Sequence, residues 1–417
     1  MSAFVHVPGG VTVPRGWLAG GIAAGIKRSG RPDLSIVLSE RPAAAAGVFT
    51  KNLVKAAPVV LGMEAVLARP TAIRGILTVA GAANALTGPE GIADNRAVLA
   101  AAESEFGVPP GSLLPACTGV IGPRIPVDRI VRSLPSLRGS LALGPEGGEP
   151  AAQAILTTDT RTKQAACRVH LRDGTVARVG GMAKGSGMIA PRVGPPHATA
   201  LAYVTTDAVA TPSGLARLLE KAADRTFNMV TVDGDMSTND TIYLLANGAA
   251  GGEVADEDPA LAEAIEWVLE SLARQIARDG EGATKLLTVT VEGAKNLTEA
   301  RAAARAVAGS TLVKAAIFGA DPNVGRIACA LGYSGARLDA GHIDVRLARP
   351  HGAVPLIVKG RPARGLENGG GLRIRDILRQ LDEVPLEIQL HEGRARATAW
   401  GCDLSYAYVQ INAAYRT

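Results

Sequence analysis

Between Lys184 and Asp207 the chain reads K-G-S-G-M-I-A-P-R-V-G-P-P-H-A-T-A-L-A-Y-V-T-T-D, and no helix can run through it. Pro191, Pro195 and Pro196 each lack the amide proton a helix needs, and Gly185 and Gly187 favour a loop. From Ala200 the residues Leu201, Ala202, Tyr203 and Val204 form an apolar run that reads as a buried strand. The order is therefore a glycine-bearing loop, a proline corner and a buried strand, with Thr199 at the junction. The same loop contains G-S-G-M-I-A, which matches the dinucleotide pattern in form. That pattern requires a helix whose N-terminus faces the pyrophosphate, and the prolines exclude it.

A threonine heading a buried strand has two readings. The plain one is a strand start. In the other, the Thr199 hydroxyl attacks the preceding carbonyl and cuts the chain between Ala198 and Thr199. The α-amine so released has a reference pKa of about 7.7 to 8.0, so it is partly neutral near pH 7 and can serve the hydroxyl as base.

The remaining composition narrows the class. With 417 residues the chain is long enough for two cores, or for one domain of two subdomains. Aromatic residues make up only 3%, so the core is filled by aliphatic and small side chains. A net charge of +5, with the basic residues scattered, gives no nucleic-acid footprint. Cys117, Cys167, Cys329 and Cys402 form no CxxC pair, which argues against a zinc ribbon or a disulfide framework and for a reduced, cytoplasmic protein. Asp233, Asp235 and Ser237 imitate the start of a calcium loop, but its closing glutamate falls on Leu244, so no metal is expected. No leader pattern opens the sequence and no apolar run is long enough for a bilayer, so no membrane is expected either.

Along the chain, Gly9–Lys27 is glycine-punctuated and extended. Short strands are expected at Leu34–Leu38, Ala44–Phe49, Ala57–Leu61, Ile73–Val79 and Leu113–Ile121. A hairpin is expected around Asp173-Gly174, and a strand over Thr284–Val291. Helical spacing marks Asn95–Phe106, Ala151–Thr160, Pro212–Ala223, the stretch after Asp258-Pro259, Asn296–Ala308 with Asn296 and Glu299 as a capping box, and Ile374–Leu381. By itself Lys184 reads as a solvated loop lysine, Glu281 as a surface carboxylate, and the residues around Asn412 and Thr417 as a frayed tail. His197 reads as a polar loop residue. The mixture of elements places the chain in the α+β class.

Ordered blocks along the chain carry a resemblance. K-G-S-G-M-I-A-P, A-T, L-A-Y and T-T-D-A lie at the centre. Gly9–Lys27 and the run A-A-G-V-F-T-K-N-L-V-K-A-A-P-V from Ala45 precede them. D-G-D-M-S-T-N-D-T, V-K-A-A-I-F-G-A-D-P-N-V-G-R from Val313 and the ending Y-V-Q-I-N-A-A-Y-R-T follow. Together they resemble the ornithine acetyltransferases, the glutamate N-acetyltransferase family of arginine biosynthesis, over essentially the whole length. The resemblance implies an αββα sandwich of the ornithine acetyltransferase and DmpA type, with a smaller C-terminal α/β lobe. It implies an α chain, Met1–Ala198, carrying the oxyanion hole and the Lys184 loop, and a β chain, Thr199–Thr417, headed by the nucleophile. Thr118 and Gly119 would form the oxyanion hole, and Thr157 or Thr158, Lys184, Thr199, Glu281, Asn412 and Thr417 would bind substrate. The implied reaction is a ping-pong transfer of acetyl from N-acetyl-L-ornithine to L-glutamate through an acetyl ester on Thr199. No cofactor is implied, use of acetyl-CoA as co-substrate stays open, and the expected assembly is a heterotetramer of two α and two β chains.

The chain also departs from the family pattern. Val79, Ala80 and Ala82 replace two asparagines and a serine of the usual Asn-Ser-Gly-Asn-Ala-Asn run, keeping Gly81 and Asn84. R-V-G-P-P-H stands before Ala198 where two residues are usual, and Val324 replaces a tryptophan in Asp-Pro-Asn-Trp. These changes leave open a paralogue with another acceptor amine, an uncleaved chain that only binds, and, further off, an aminopeptidase.

Overall fold

The computed structural model describes residues 4–190, 200–349, 352–364, 366 and 371–414. In chain order its first elements are β1 (Phe4–Val7), β2 (Trp17–Ile22), β3 (Leu34–Phe49), α1 (Ala57–Ala68), β4 (Ile73–Ala82), α2 (Gly88–Phe106), β5 (Leu113–Val120), α3 (Val127–Gly139) and α4 (Gly144–Ala154). Next come β6 (Lys163–His170), β7 (Val176–Lys184), β8 (Leu201–Ala208), α5 (Pro212–Arg225), β9 (Val230–Thr231), β10 (Thr241–Gly251) and α6 (Pro259–Arg278). The remainder are β11 (Leu286–Ala294), α7 (Leu297–Gly309), α8 (Thr311–Phe318), α9 (Val324–Gly332), β12 (Asp344–Leu347), β13 (Val354–Val358), β14 (Arg361–Pro362), α10 (Gly371–Gln380), β15 (Glu383–Gln389), β16 (Ala395–Cys402) and α11 (Tyr406–Ala414). Contacts divide them into two units, one running to Asn228 with Met236–Leu272, the other Met229–Asp235 with Ala273 to the end of α11.

In the first unit nine strands run in the order β1-β6-β7-β8-β10-β3-β4-β5, with β2 also on β3. The 16-residue β3 explains how they become two layers. Leu34–Leu38 pairs with β2 and β4, Ala44–Phe49 pairs with β10, and the ladder slips between Leu38 and Ala43, at Pro42, which has no amide to donate. The two halves face each other across one buried cluster: Ile76, Leu114 and Ala116 from one, Met182, Leu201, Tyr203, Tyr243 and Leu245 from the other. Alternation along β4 and β5 sends Leu77, Val79, Leu113 and Cys117 the other way, onto Val98 and Ala102 of α2 and Ile130 and Leu134 of α3. On the far side α5 packs on β3 and β10, and Gly181 lies so close to Val268 and Leu272 of α6 that a Cβ there would meet them at 2.8 and 3.0 Å. The layers are thus helix, sheet, sheet, helix: an αββα sandwich.

The second unit is a seven-stranded sheet, β14-β13-β12-β15-β11-β16-β9. Along β15 the residues alternate strictly, with Val384, Leu386 and Ile388 buried, so one face takes helices. Ala300, Ala303, Ala304 and Val307 of α7 pack against β11 and β16; Asn296 caps this helix by accepting from the Glu299 amide.

Several expectations change. Ala57–Leu61 is the first turn of α1, not a strand, because Pro58 at its start suits a helix and a five-residue apolar run does not by itself distinguish the two. The two strands at Leu34–Leu38 and Ala44–Phe49 are one bent strand. The helix placed at Ala151–Thr160 begins at Gly144 and ends at Ala154. Lys184 is the last residue of β7, not a loop residue, and is buried. The stretch before the C-terminus is α11, where a frayed tail was the plain reading. Among the described residues no helix is long and apolar enough to cross a membrane.

Candidate active site

Thr118 and Gly119 end β5, paired in parallel with Ala80 and Gly81 of β4. Gly119 has φ +131°, and a Cβ on it would lie 2.3 Å from the Gly81 carbonyl carbon, so only glycine fits. Thr118 shares the parity of Leu114 and Ala116, which face the space between the sheets, and is 9% exposed. Beside it, burial pushes the Cys117 thiol up to about 12, so no thiolate competes as nucleophile. The replacements at Val79 and Ala82 lie in the helix-facing cluster, where apolar packing takes the place of the family's polar side chains. Of the three, Ala80 keeps the inward alternation of Ile76 and Thr78, whereas the ladder slips after Gly81 and carries Ala82 into the helix-facing cluster.

A second group forms where the segment after α4 meets the end of β7. Lys184 Nζ donates to Thr157 Oγ1 at 2.7 Å and lies 3.6 Å from Asp159 Oδ2. Lys163 Nζ donates to Asp159 Oδ1 at 2.7 Å with both side chains fully buried. The amides of Gly185 and Thr157 complete the shell at 2.6 and 3.0 Å. Burial alone would raise the Asp159 carboxyl, but the Lys184 and Lys163 ammoniums with these hydrogen bonds outweigh it and hold the group well below the usual carboxylate range. Of the two threonines left open, Thr157 is the one joined to Lys184, while Thr158 is half-buried beside it.

Because the folded pKa of Asp159 lies below the unfolded value of about 3.9, its stabilising contribution is complete above that pH and fades only in stronger acid. An Asp159→Asn chain is expected to lose about 3–5 kcal/mol, since two buried ammoniums would lack their counter-charge. Thermal melting at pH 7 checks this. A variant melting with the wild type would show that the pair contributes nothing.

The strand that follows Thr199 is held on both sides. Leu201 pairs with Lys184 across β7 and with Thr241 across β10. The Thr241 amide donates to the Ala200 carbonyl at 2.9 Å. Two residues earlier, buried Asn239 donates through Nδ2 to the carbonyls of Ala83 at 2.6 Å and Cys117 at 2.9 Å. One three-residue stretch, Asn239–Thr241, therefore anchors both the residue before Thr118 and the residue after Thr199. Tyr203 fixes the layers further: its hydroxyl meets Thr78 Oγ1 at 2.8 Å, and burial pushes its phenol far up, so it stays protonated. Ala198, Thr199 and the R-V-G-P-P-H stretch before them, His197 included, lie outside the described residues, as does Thr417.

In the second unit Glu281 is 7% exposed, and Asn412 of α11 donates to its Oε2 at 2.8 Å. The turn carrying Glu281 is pinned by buried Asp403, which accepts from the amides of Thr284 and Lys285 at 2.8 and 3.0 Å. Gly282 takes φ +70°, and a Cβ there would meet the Tyr408 amide at 2.6 Å. Burial, then the charges of Asp233, Glu281 and Asp235, push the Tyr408 phenol up. A buried carboxylate facing an amide donor is suited to receive a substrate ammonium.

Asp159, Lys163, Asn239 and Asp403 were not singled out as site residues. Asp159 stands two positions after Thr157, and Asn239 lies in the D-G-D-M-S-T-N-D-T block, but nothing in a linear pattern shows that either is buried.

Comparison with known proteins agrees in length and order. A family model, the ArgJ family, matches residues 18–417. The arginine biosynthesis bifunctional protein ArgJ of Symbiobacterium thermophilum is 46% identical over 415 residues, covering 98% of this chain and 99% of that one. Its namesake from Synechococcus sp. is 44% identical over 424 residues, covering 100% and 99%. The chloroplastic ArgJ of Physcomitrium patens is 44% identical over 418 residues, covering 99% of this chain and 78% of that one.

Proposed function

This chain belongs to the ArgJ family, and on that premise we propose that Thr199 is the head of a new chain and the nucleophile of an acetyl transfer. The enzyme is a glutamate N-acetyltransferase of arginine biosynthesis, moving acetyl from N-acetyl-L-ornithine to L-glutamate. The observation that carries the residue assignment is the clamp of Asn239–Thr241 on Cys117 and Ala200, which supports placing Thr118-Gly119 and the start of β8 in one site.

In the proposed sequence the free α-amine of Thr199 takes the proton of its own hydroxyl as the oxygen bonds to the acetyl carbon. The Gly119 amide and the Thr118 hydroxyl receive the oxyanion. Its collapse breaks the carbon–nitrogen bond, and the departing ornithine amine takes the proton back from the α-ammonium. The glutamate amine then attacks the acetyl ester, the same donors hold the second oxyanion, and Thr199 leaves with its proton restored. Lys184, beside Thr157, meets the substrate carboxylate. That Glu281, Asn412 and Thr417 also contact substrate rests on the resemblance alone.

Cleavage after Ala198 would leave the two chains interleaved, because the β7–β8 ladder runs from Lys184↔Leu201 to Val179↔Thr206 across the cut. The α and β chains are therefore proposed to stay together, in a heterotetramer of two of each. Acetyl-CoA is proposed as a second donor to the same ester on the resemblance alone.

Mass spectrometry tests the scheme. Wild-type protein is expected as two fragments, the second beginning T-A-L-A-Y and gaining one acetyl group after acetylornithine, with acetyl-CoA as a parallel arm. Intact protein, or acetylation anywhere but Thr199, would sink it. Rescue of an arginine auxotroph separates this enzyme from a paralogue with another acceptor.

A further inference from the structure

A lysine that no part of the scheme uses lies behind the same backbone. Buried Asp33 accepts from the amides of Ala24, Ile26 and Lys27 at 2.6, 2.6 and 2.8 Å, and its own carbonyl accepts from Ala80 at 2.8 Å. The loop carrying Lys27 is thereby fixed to the end of β4. The Lys27 stem lies against Gly81, its Cγ 3.4 Å from where a Cβ would stand, and Gly81 is the partner of Gly119. The ammonium, on a side chain from a residue only 9% exposed, donates to the carbonyls of Pro32 at 2.5 Å and Ala154 at 3.4 Å. Among the described residues its third proton has no acceptor. From the same loop Arg31 donates to the Thr157 carbonyl at 2.9 Å, tying this loop to the Lys184 group.

We infer that Lys27 is a second cation of the carboxylate end of the site, acting beside Lys184 to select substrates with a free α-carboxylate. The inference rests on the acyl-transfer reading above. The charges that face Lys27 are Asp33, Arg31, Lys184 and Asp159. Both carboxylates are already engaged: Asp33 by three amides, Asp159 by two ammoniums and two amides. Three buried ammoniums, Lys27, Lys163 and Lys184, thus stand against two carboxylates, and Lys27 has one proton without an acceptor among the described residues; burying such charge is costly until an anion arrives. Both the acetyl donor and the acceptor are amino acids, so each brings an α-carboxylate. Burial, the largest influence, lowers Lys27 to about 8, so its charge is complete below that pH and is lost as pH rises through it.

The test compares wild type, Lys27→Gln and Lys27→Arg on N-acetyl-L-ornithine and on its carboxamide. Glutamine keeps donors for the two carbonyls and removes the charge; arginine keeps the charge at all accessible pH. Wild type is expected to prefer the acid and to lose kcat/KM above pH about 8. Lys27→Gln should raise KM for the acid about tenfold, the worth of one charged contact, while its KM for the carboxamide stays near that of wild type. Lys27→Arg should keep the acid preference and lose the alkaline decline. A cleaved Lys27→Gln enzyme with undiminished acid preference overturns the inference. If that variant does not fold, an alkaline decline unchanged in Lys27→Arg overturns it instead. Wild type that transfers no acetyl group sinks the acyl-transfer reading first, before any variant is compared.

Discussion

A Thr199→Ala chain is expected to remain one polypeptide of 42.7 kDa and to transfer no acetyl group. Alanine removes the attacking oxygen for both events, so processing and turnover fail together. In covalent mechanisms of this type, loss of the nucleophile costs about 10⁶ in kcat. Denaturing electrophoresis reads the first event and product formation the second. Thr199→Ser keeps an oxygen and should still be cut, which separates loss of chemistry from loss of fold. A Thr199→Ala chain that is cut, or that acetylates glutamate, would remove the basis of the mechanism.

The second large effect is expected at Gly119. Its φ of +131° is one that side chains rarely adopt, and a Cβ would stand 2.3 Å from the Gly81 carbonyl carbon and 2.7 Å from the Ala82 nitrogen. Those atoms belong to backbone held in the β4–β5 ladder, so they cannot yield as a flexible side chain would. Gly119→Ala must therefore turn the peptide away from its place. Removing one donor from an oxyanion hole costs about 2.7–4 kcal/mol, or 10² to 10³ in kcat. Thr118→Val removes the other donor at nearly constant shape, so it should lower kcat by a similar factor while melting close to wild type. Gly119→Ala is expected to lower kcat and melting temperature together. Wild-type turnover in either variant would place the oxyanion elsewhere.

The substitutions that distinguish this chain from its family pattern now have a structural sense. Val79 and Ala82 lie on the helix-facing side of β4, among Leu77, Val98 and Ala102, away from the space between the sheets. Two of the three lost polar side chains are thus exchanges in a packed layer. Ala80, before the slip of the ladder at Gly81, keeps the inward alternation, is paired with Thr118, and is the position where a changed pocket would be felt.

Local chemistry was readable without coordinates. The spacing of Leu261, Ile265, Val268, Leu269 and Leu272 marked α6, and Asn296 with Glu299 marked the start of α7; both are structural facts. Period and capping act over a few residues, so a linear pattern contains them. Where the same rules were ambiguous they failed locally, as at Ala57–Leu61, where a short apolar run suited strand and helix alike until its packing selected the helix.

What the amino-acid order determined by itself was much of the succession of elements and the motifs in register with a family. What only the tertiary structure decided was which charges are buried together and which strand ends meet. The bend of β3 that folds one sheet over the other, the two lysines on Asp159, and the hold of Asn239 on Cys117 join residues from four to more than a hundred positions apart. Burial and hydrogen-bond satisfaction belong to the packed whole: a lysine or asparagine acquires its role only when water has been excluded around it.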